Sequence, residues 1–327
     1  MLNALQVCGK DSTNLVTTPF SRSFCVSFIA AAQNPDGGWG YRPGGQSSVE
    51  ASCWALLALG ATTTTCSVGE AVRQGVRWLE QAQLPEGGWP SFVGQQYGCW
   101  VTSLACLALQ AQRSSAARVA RGLRWLCNDW PGESGFWWRI RKRFSSRHSA
   151  VRQDHSLYGW GWTRGTASWV DPTSYSLILL RNTSETARPT NAAHRRRLGE
   201  SMLYDRMCPG GGWNSGNPLV HGVSGEPRVG PTVWALLALS EYADRTANQM
   251  SLDWLEKNCQ SIRSAGSLAL TQICLNAYGR SLPDVVPLFE TLHRMNGYLQ
   301  SVLVFAWVTL ALSARLDWLQ PAAQPEK

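Results

Sequence analysis

The sequence predicts an all-α fold built from helical hairpins, and three observations carry that prediction. Apolar residues make up 44% of the 327-residue chain, including 17 Trp, while only 16% are charged, which is enough for a large core. Helix-length apolar segments alternate with amphipathic ones. A Gly-rich turn that closes on Trp, followed by a polar loop and an apolar run, recurs along the chain. The copies are AAQNPDGGWGYRPGGQSSVEASCWALLAL (31–59), EQAQLPEGGWPSFVGQQYGCWVTSLACLAL (80–109), GWGWTRGTASWVDPTSYSLILL (159–180) and PGGGWNSGNPLVHGVSGEPRVGPTVWALLAL (209–239).

The repeat predicts six pairs of helices. The first helix ends at Pro35 and Gly37, which cannot continue it, and the second helix of each pair is so apolar that it must be buried on nearly all sides. The last two pairs lack the Gly-Gly-Trp turn. The predicted pairs are 24–33 with 50–60, 68–83 with 100–110, 116–128 with 174–181, 192–207 with 232–242, 249–262 with 266–278, and 285–295 with 299–314.

We expect one domain over residues 1–327, with 1–20 as a cap or extended arm and 131–158 as a basic insertion. Six hairpins can bury both kinds of helix by closing into a ring. The apolar helices then form an inner barrel, and the amphipathic helices form an outer sleeve. An open solenoid of hairpins is the competing arrangement.

Much of the net charge of +8 is concentrated in the basic insertion. Such runs usually make a solvated face, and the functional alternative is a patch for anionic lipid headgroups at a membrane surface or for a diphosphate. No nucleic-acid-binding motif accompanies them, so nucleic acid is not an expected partner. The basic residues of the insertion are Arg139, Arg141, Lys142, Arg143, Arg147 and Arg152.

The ten Cys residues are scattered, several within apolar runs, and form no CxxC pair. This pattern indicates buried thiols in a reducing compartment. The N-terminus shows no secretory signal, and the most lipid-like segment, 301–312, is too short to span a bilayer comfortably. We therefore expect a cytoplasmic protein, peripheral to the membrane if the insertion binds lipid.

The runs WLEQAQLPEGGW and FIAAAQNPDGGW resemble the QW repeats of the squalene cyclase and prenyltransferase β-subunit superfamily. The segment SWVDPTSYSLILL is similar to one in the single-domain bacterial prenyltransferase and squalene oxidase repeat proteins. The resemblance implies an α/α toroid with an apolar central cavity. It also implies structural roles in the turns, where Gln ties one helix end to the next and Trp stacks across the turn. Trp39, Trp89 and Trp213 are then fold residues.

The same resemblance points to Asp171 as a catalytic residue. Class II terpene cyclases protonate an alkene or epoxide with the middle Asp of a DxDDTA motif, which falls on residues 169–174. Trp169 and Pro172 replace its two companion carboxylates, so an Asp of ordinary pKa would be ionised at neutral pH and be a poor acid. Burial would favour protonation but weaken the acid. The structural alternative is an N-cap at Asp171 with Pro172 at N1.

Alignment on the last Leu of each apolar run makes Glu50, Trp100, Asp171 and Gly230 equivalent. Glu50 is thus a second candidate catalytic carboxylate, although a carboxylate in the first helical turn is also favourable in itself. Trp100 is a candidate substrate contact at the same level.

Residues four apart share a helix face, so Tyr175 faces whatever Asp171 faces, and Trp54 and Trp234 are its equivalents. If that face is the lumen, their rings suit a carbocation or a long polyene; the alternative is packing between neighbouring helices. A further aromatic group in the loop before the third apolar helix, Tyr158, Trp160, Trp162 and Trp169, is expected to cover the cavity mouth. Of these, Tyr158, Trp162 and Trp169 are expected to bind substrate.

Protein prenyltransferases use zinc held by Asp, Cys and His, but the nearest phrase here, Tyr97-Gly98-Cys99-Trp100, lacks the Asp, so we expect no metal and no other cofactor. The leading hypothesis is a class II terpene cyclase-like enzyme that starts the cyclisation or isomerisation of an isoprenoid with an acid. The alternatives are a non-catalytic isoprenoid-binding or scaffold toroid, and a prenyltransferase-like subunit that needs a partner chain.

Overall fold

The structure is a computed structural model that describes residues 20–61, 66–132, 135, 153–154, 156–313 and 316–319. The expected arm at 1–20, apart from its last residue, lies outside the described residues. So does most of the basic insertion, including all six of its Arg and Lys residues. No helix in the described part of the chain is long and apolar enough to cross a membrane.

The described residues form twelve α-helices, two for each predicted pair, in which amphipathic odd-numbered helices alternate with apolar even-numbered ones. A two-stranded hairpin, β1 (Leu219–Val220) with β2 (Val223–Ser224), lies before the fourth apolar helix. The helices are α1 Arg22–Ala31, α2 Val49–Gly60, α3 Cys66–Gln81, α4 Val101–Ala111, α5 Ala116–Cys127, α6 Val170–Asn182, α7 Ala192–Asp205, α8 Val229–Ala238, α9 Thr246–Asn258, α10 Ala265–Ala277, α11 Val286–Asn296 and α12 Val302–Ala311.

The even-numbered helices form a closed inner ring. Each packs against the even-numbered helices before and after it, and α12 packs against α2. The odd-numbered helices form the outer sleeve, and each lies mainly on the even-numbered helix that precedes it, with α1 on α12. In that last contact the rings of Phe28 and Phe305 stack with centroids 3.7 Å apart. The expected α/α toroid of six hairpins is therefore confirmed, and the open solenoid is excluded.

Hydrogen bonds between neighbouring repeats join the ring at the end where the even-numbered helices begin, which we call the mouth. The first N–H groups of a helix have no partner within it, and here they donate to the carbonyl of the next loop. One of these bonds, from Val302 N–H to the Tyr41 carbonyl (3.0 Å), joins the last repeat to the first. The others run from Val49 to Ser91 (3.0 Å), from Trp100 to Trp162 (3.1 Å) and from Val170 to Ser215 (3.1 Å).

Four buried Trp residues hold the repeat turns in the same way. Each indole N–H donates to a carbonyl near the end of the outer helix, at 2.6–2.9 Å. Each backbone N–H of these Trp residues donates to a Ser or Thr hydroxyl on the following inner helix, at 2.9–3.0 Å. The four Trp–hydroxyl pairs are Trp39 with Ser52, Trp89 with Thr102, Trp160 with Thr173, and Trp213 with Thr232.

Trp160 is therefore a structural residue of the third turn, and its expected place in a lid is wrong. The sequence Gly159-Trp160-Gly161-Trp162 offers two Trp residues to the turn, and the repeat pattern alone did not decide between them. The Gln links are present in the first two turns: Gln33 donates to the carbonyl of Ala71 in α3 (2.8 Å), and Gln83 to that of Arg118 in α5 (3.0 Å).

The inner helices end at the opposite side of the ring, which we call the floor end. There the buried Arg181, in the last turn of α6, donates to the carbonyls of Leu237 (2.6 Å) and Leu319 (2.7 Å). Asn182 donates to the carbonyl of Trp318. The C-terminal turn Asp317–Leu319 packs on α4 and α6 and closes this end of the ring.

Candidate active site

The two candidate carboxylates lie at the mouth because each is the second residue of an inner helix. Glu50 occupies that position in α2 and Asp171 occupies it in α6. Each is followed two residues later by the hydroxyl that receives the turn Trp, Ser52 and Thr173 respectively. The predicted equivalence of the two carboxylates is therefore built into the hydrogen-bonding of the repeat.

Asp171 is not the N-cap of α6. The helix begins at Val170, two residues before the start that an N-cap at Asp171 implies, so that Trp169 is at the N-cap with no side-chain bond, and Pro172 is the third helical residue. The N–H of Thr173 donates to the Trp169 carbonyl (3.2 Å), not to the Asp171 carboxyl. Within the described part of the chain, the buried Oδ2 of Asp171 has no hydrogen-bond partner. The interpretation of Asp171 as the N-cap is thus wrong; its carboxyl lies in the first helical turn, where a negative charge is favourable in itself, and one of its oxygens has no partner.

Burial sets the protonation of both carboxyls. It raises the pKa of Asp171 to about 6, and a contact with the residue's own backbone N–H only partly opposes the rise. Burial also raises the pKa of Glu50, although a hydrogen bond from the Tyr41 hydroxyl to Oε2 (2.6 Å) opposes it. A carboxyl with a pKa of about 6 is mostly protonated below that pH and retains its proton for about a tenth of the time at pH 7. Burial thus keeps a proton on Asp171 more often than on an exposed Asp, and at the same time makes the group a weaker acid.

Both carboxyls lie near the side chain of Tyr175. Burial, and then the charges of Glu50 and Asp171, raise the pKa of the Tyr175 phenol. Tyr175 lies one helical turn below Asp171, a step of about 6 Å along the axis. The Tyr175 ring thus lies beneath the carboxyls on the side towards the floor end.

Aromatic rings from three inner helices meet at this lower level. Trp234 of α8 lies 4.8 Å from Tyr175 of α6 and 5.3 Å from Trp54 of α2, centroid to centroid. Because α2 and α8 are opposite each other in the ring of six, rings that join them cross the lumen. Trp54, Tyr175 and Trp234 therefore face the lumen, and the alternative, packing between neighbouring helices, is excluded for the three.

The same contacts correct the expectation of a hollow centre. At the level of Trp54 the rings are buried and in contact across the axis, and Trp307 of α12 (5.9 Å) and Trp318 (5.7 Å) add edge-on contacts to Trp54. We call these five residues, Trp54, Tyr175, Trp234, Trp307 and Trp318, the aromatic cluster. Any ligand near the carboxyls of this structure is bounded by the cluster on the side towards the floor end.

Trp100 and Trp162 extend the aromatic surface from the cluster to the mouth. Trp100 lies 5.3 Å from Tyr175, and Trp162 packs edge-on to Trp100 at 5.2 Å. The structure does not bring Trp169 or Tyr158 into this group. Trp169 lies against the backbone of Gly216 and is partly exposed, whereas Tyr158 lies beside Trp130 and the buried Arg195 of the outer helix α7.

Sequence reasoning missed Tyr41, Trp307 and Trp318. Tyr41 lies in the first polar loop, where its hydrogen bond to Glu50 has no local sequence pattern. Trp307 is on α12, whose repeat lacks the Gly-Gly-Trp turn, so the alignment did not place it. Trp318 reaches the cluster from a turn held by α6, more than 130 residues earlier in the chain.

Seven of the exposed large apolar side chains lie on loops that lead into inner helices, and therefore at the mouth. An apolar rim of this kind suits the entry of an apolar molecule. Among the described residues, no group of three or more His, Cys, Asp or Glu could hold a metal ion. The rim residues are Tyr41, Val93, Tyr97, Trp169, Val220, Val223 and Leu299.

Comparisons with known proteins agree on the fold. The type II terpene cyclase MstE from Scytonema matches with 14% sequence identity and a TM-score of 0.58, over 89% of this chain and 96% of that one. A variant of MstE in complex with geranylgeranyl dihydroxybenzoate, its substrate, matches with 14% identity and a TM-score of 0.58, over 91% and 97%. The endo-1,4-D-glucanase from Vibrio fischeri ES114 matches with 12% identity and a TM-score of 0.51, over 88% and 93%.

No protein-family profile and no curated protein sequence matches the chain. The structural matches confirm the expected α/α toroid, which is the fold of the type II terpene cyclase MstE. The glucanase match shows that the same architecture also carries unrelated chemistry. An activity must therefore be argued from the residues of the site.

Proposed function

We propose that this protein is a class II terpene cyclase-like enzyme that protonates an isoprenoid held between the mouth and the aromatic cluster. The observation that carries the proposal is the carboxyl of Asp171. The side chain is partly buried, its Oδ2 has no hydrogen-bond partner in the described part of the chain, its pKa is about 6, and it lies one helical turn above Tyr175 of the aromatic cluster. A buried polar atom without a hydrogen-bond partner costs about 1–3 kcal/mol. An interaction of the Asp171 carboxyl with a bound substrate offsets that cost.

Asp171 acts as the acid. Its proton forms a C–H bond to one alkene carbon, or an O–H bond to an epoxide oxygen, while the alkene π electrons or the breaking C–O bond leave a carbocation. The next double bond attacks that cation and closes a ring. The rings of Trp54, Tyr175 and Trp234 stabilise the positive charge through their faces.

The reaction ends when a carbon next to the cation gives up a proton and a double bond forms. Glu50, in its ionised form, is placed to accept this proton, and Tyr41 orients its carboxylate through the 2.6 Å hydrogen bond. The substrate gains one proton from Asp171 and loses one to Glu50, so the product is an isomer of the substrate. MstE, whose substrate carries a geranylgeranyl chain, supports an isoprenoid as the substrate class.

The alternative is a non-catalytic toroid that binds an isoprenoid or serves as a scaffold. Two observations favour it: the single Asp where terpene cyclases have an acidic cluster, and the ring contacts that fill the centre of the lumen. Exposed Val286, Leu288 and Met295 on the outer helix α11 favour the third hypothesis, a subunit with a partner chain. Contact with a membrane surface stays a prediction, because the basic insertion that suggests it lies outside the described residues.

Incubation with squalene, oxidosqualene and geranylgeranyl diphosphate separates these functions. We expect wild-type protein to convert one of them into a product of the same mass and different chromatographic retention. Asp171→Asn, which keeps the shape but loses the acid, should lower the rate by at least about 100-fold. A bound but unchanged isoprenoid would support the carrier instead. Equal rates for wild type and Asp171→Asn would exclude Asp171 as the acid.

A further inference from the structure

The four turn Trp residues and three Trp residues of the aromatic cluster differ in how their indole N–H groups are bonded. The four turn residues Trp39, Trp89, Trp160 and Trp213 each donate to a backbone carbonyl. Within the described part of the chain, the buried indole N–H groups of Trp54, Trp307 and Trp318 have no hydrogen-bond partner. A directional bond therefore fixes each turn ring, whereas the rings of Trp54, Trp307 and Trp318 are positioned without one.

Trp318 is the member of the cluster that no inner helix carries. Its turn is attached at the floor end by two side chains of α6: Arg181 donates to the Leu319 carbonyl at 2.7 Å, and Asn182 donates to the Trp318 carbonyl. From there the indole projects into the ring of helices and meets Trp54 edge-on at 5.7 Å, with the ring planes at 79°. Trp54 in turn meets Trp234 across the lumen.

Trp54 is the sixth residue of α2 and so lies about 6 Å below Glu50 along the axis of an inner helix of twelve residues. The distance from the carboxyls to the cluster is thus only part of the depth of the ring. The rest of that depth is closed by Trp318 and the ring it supports. An apolar ligand that enters at the mouth therefore extends only as far as the ring of Trp54, which Trp318 contacts from the floor end.

We propose that Trp318, carried by the C-terminal turn, closes the lumen from the floor end and limits the length of apolar chain that the protein holds. This inference rests on the proposed function, since it assumes an isoprenoid on the carboxyl side of the cluster. Trp318 is a positioning residue: it acts by holding Trp54 across the lumen. Removal of its ring lets Trp54 move towards the floor end, and the part of the lumen open to a bound chain then becomes longer.

The test is native mass spectrometry of the protein with an equimolar mixture of farnesol, geranylgeraniol and geranylfarnesol, which differ by one isoprene unit each. We expect Trp318→Ala to shift the bound population towards the longer alcohols, with the ratio of longest to shortest rising by about tenfold. Trp318→Leu, a milder change, should shift it in the same direction, and Trp318→Phe should keep the wild-type profile.

Trp78→Ala is the matched control. Trp78 has the same exposure as Trp318, 7%, but lies on the outer helix α3 and donates to Asp36 outside the ring. Its loss should lower stability without changing the length profile. An unshifted profile in folded Trp318→Ala or Trp318→Leu, with wild type binding the alcohols, overturns this inference and leaves the proposed function standing. Wild type that binds none of the three overturns both.

Discussion

The role of Asp171 depends on where its helix starts: a start two residues earlier than expected moves it from the N-cap to the second helical position. The sequence Asp171-Pro172 favours an N-cap, but the N–H of Val170 donates to Ser215 of the next repeat, and the helix begins at Val170. That bond joins residues 45 positions apart, so no local pattern predicts it. The repeat predicted a carboxyl at the mouth, but it did not predict that Trp169, and not Asp171, is at the N-cap of α6.

The raised pKa of Asp171 predicts a pH-dependent stability. The pKa is about 6 in the folded protein and about 3.9 in an unfolded chain, so between these values the folded state binds more protons. Stability contributed by this group is therefore lost as the pH rises from about 4 through 6, and it changes little below or above that window.

We expect Asp171→Asn, which stays neutral, to have a higher Tm than wild type at pH 7.5, and the difference to shrink towards pH 4. Thermal unfolding across this pH range measures it, with Asp244→Asn at an exposed site as the control. A Tm difference that is the same at both pH values would mean that Asp171 is not buried as described.

At the scale of elements, three of the four turn Trp residues, Trp39, Trp89 and Trp160, pack against a Gly of the next outer helix. A Cβ on Gly75 would lie 2.4 Å from the ring of Trp39, and one on Gly122 would lie 2.9 Å from the ring of Trp89. The close approach of helix and ring leaves no room for even a methyl group. The Gly-Gly-Trp turns were clear in the sequence, but these partner glycines were not, because they lie in the following helix.

Gly75→Ala should therefore destabilise the protein by about 1–3 kcal/mol through overpacking. Gly230→Ala is the matched control: Gly230 is also helical, and its Cβ would meet nothing within 4 Å. That substitution should be neutral or stabilise by up to about 1 kcal/mol. Urea unfolding measures the change in the free energy of unfolding of both variants, provided that their m-values equal that of wild type. Equal midpoints for the two variants would show that Trp39 does not pack on Gly75.

At the scale of the whole molecule, the ring closes because the first and last hairpins meet. The predicted pairing of helices gave the number and type of elements, since each inner helix is apolar on all sides. The sequence did not predict that aromatic side chains fill the centre of the ring, because Trp54 and Trp234 belong to helices on opposite sides of it. A turn near the end of the described chain completes that centre through Trp318, and only tertiary contacts reveal it.

The central claim is that an apolar chain binds inside the mouth, beside Asp171 and Glu50. Gly230 is the equivalent position on α8, with open space at its Cβ, so Gly230→Trp should fill the mouth, whereas Gly210→Trp adds the same ring at an exposed turn. Native mass spectrometry with geranylgeraniol tests the claim most directly. We predict one bound molecule for wild type and Gly210→Trp and none for folded Gly230→Trp; no binding to wild type, or equal binding to all three, would contradict it.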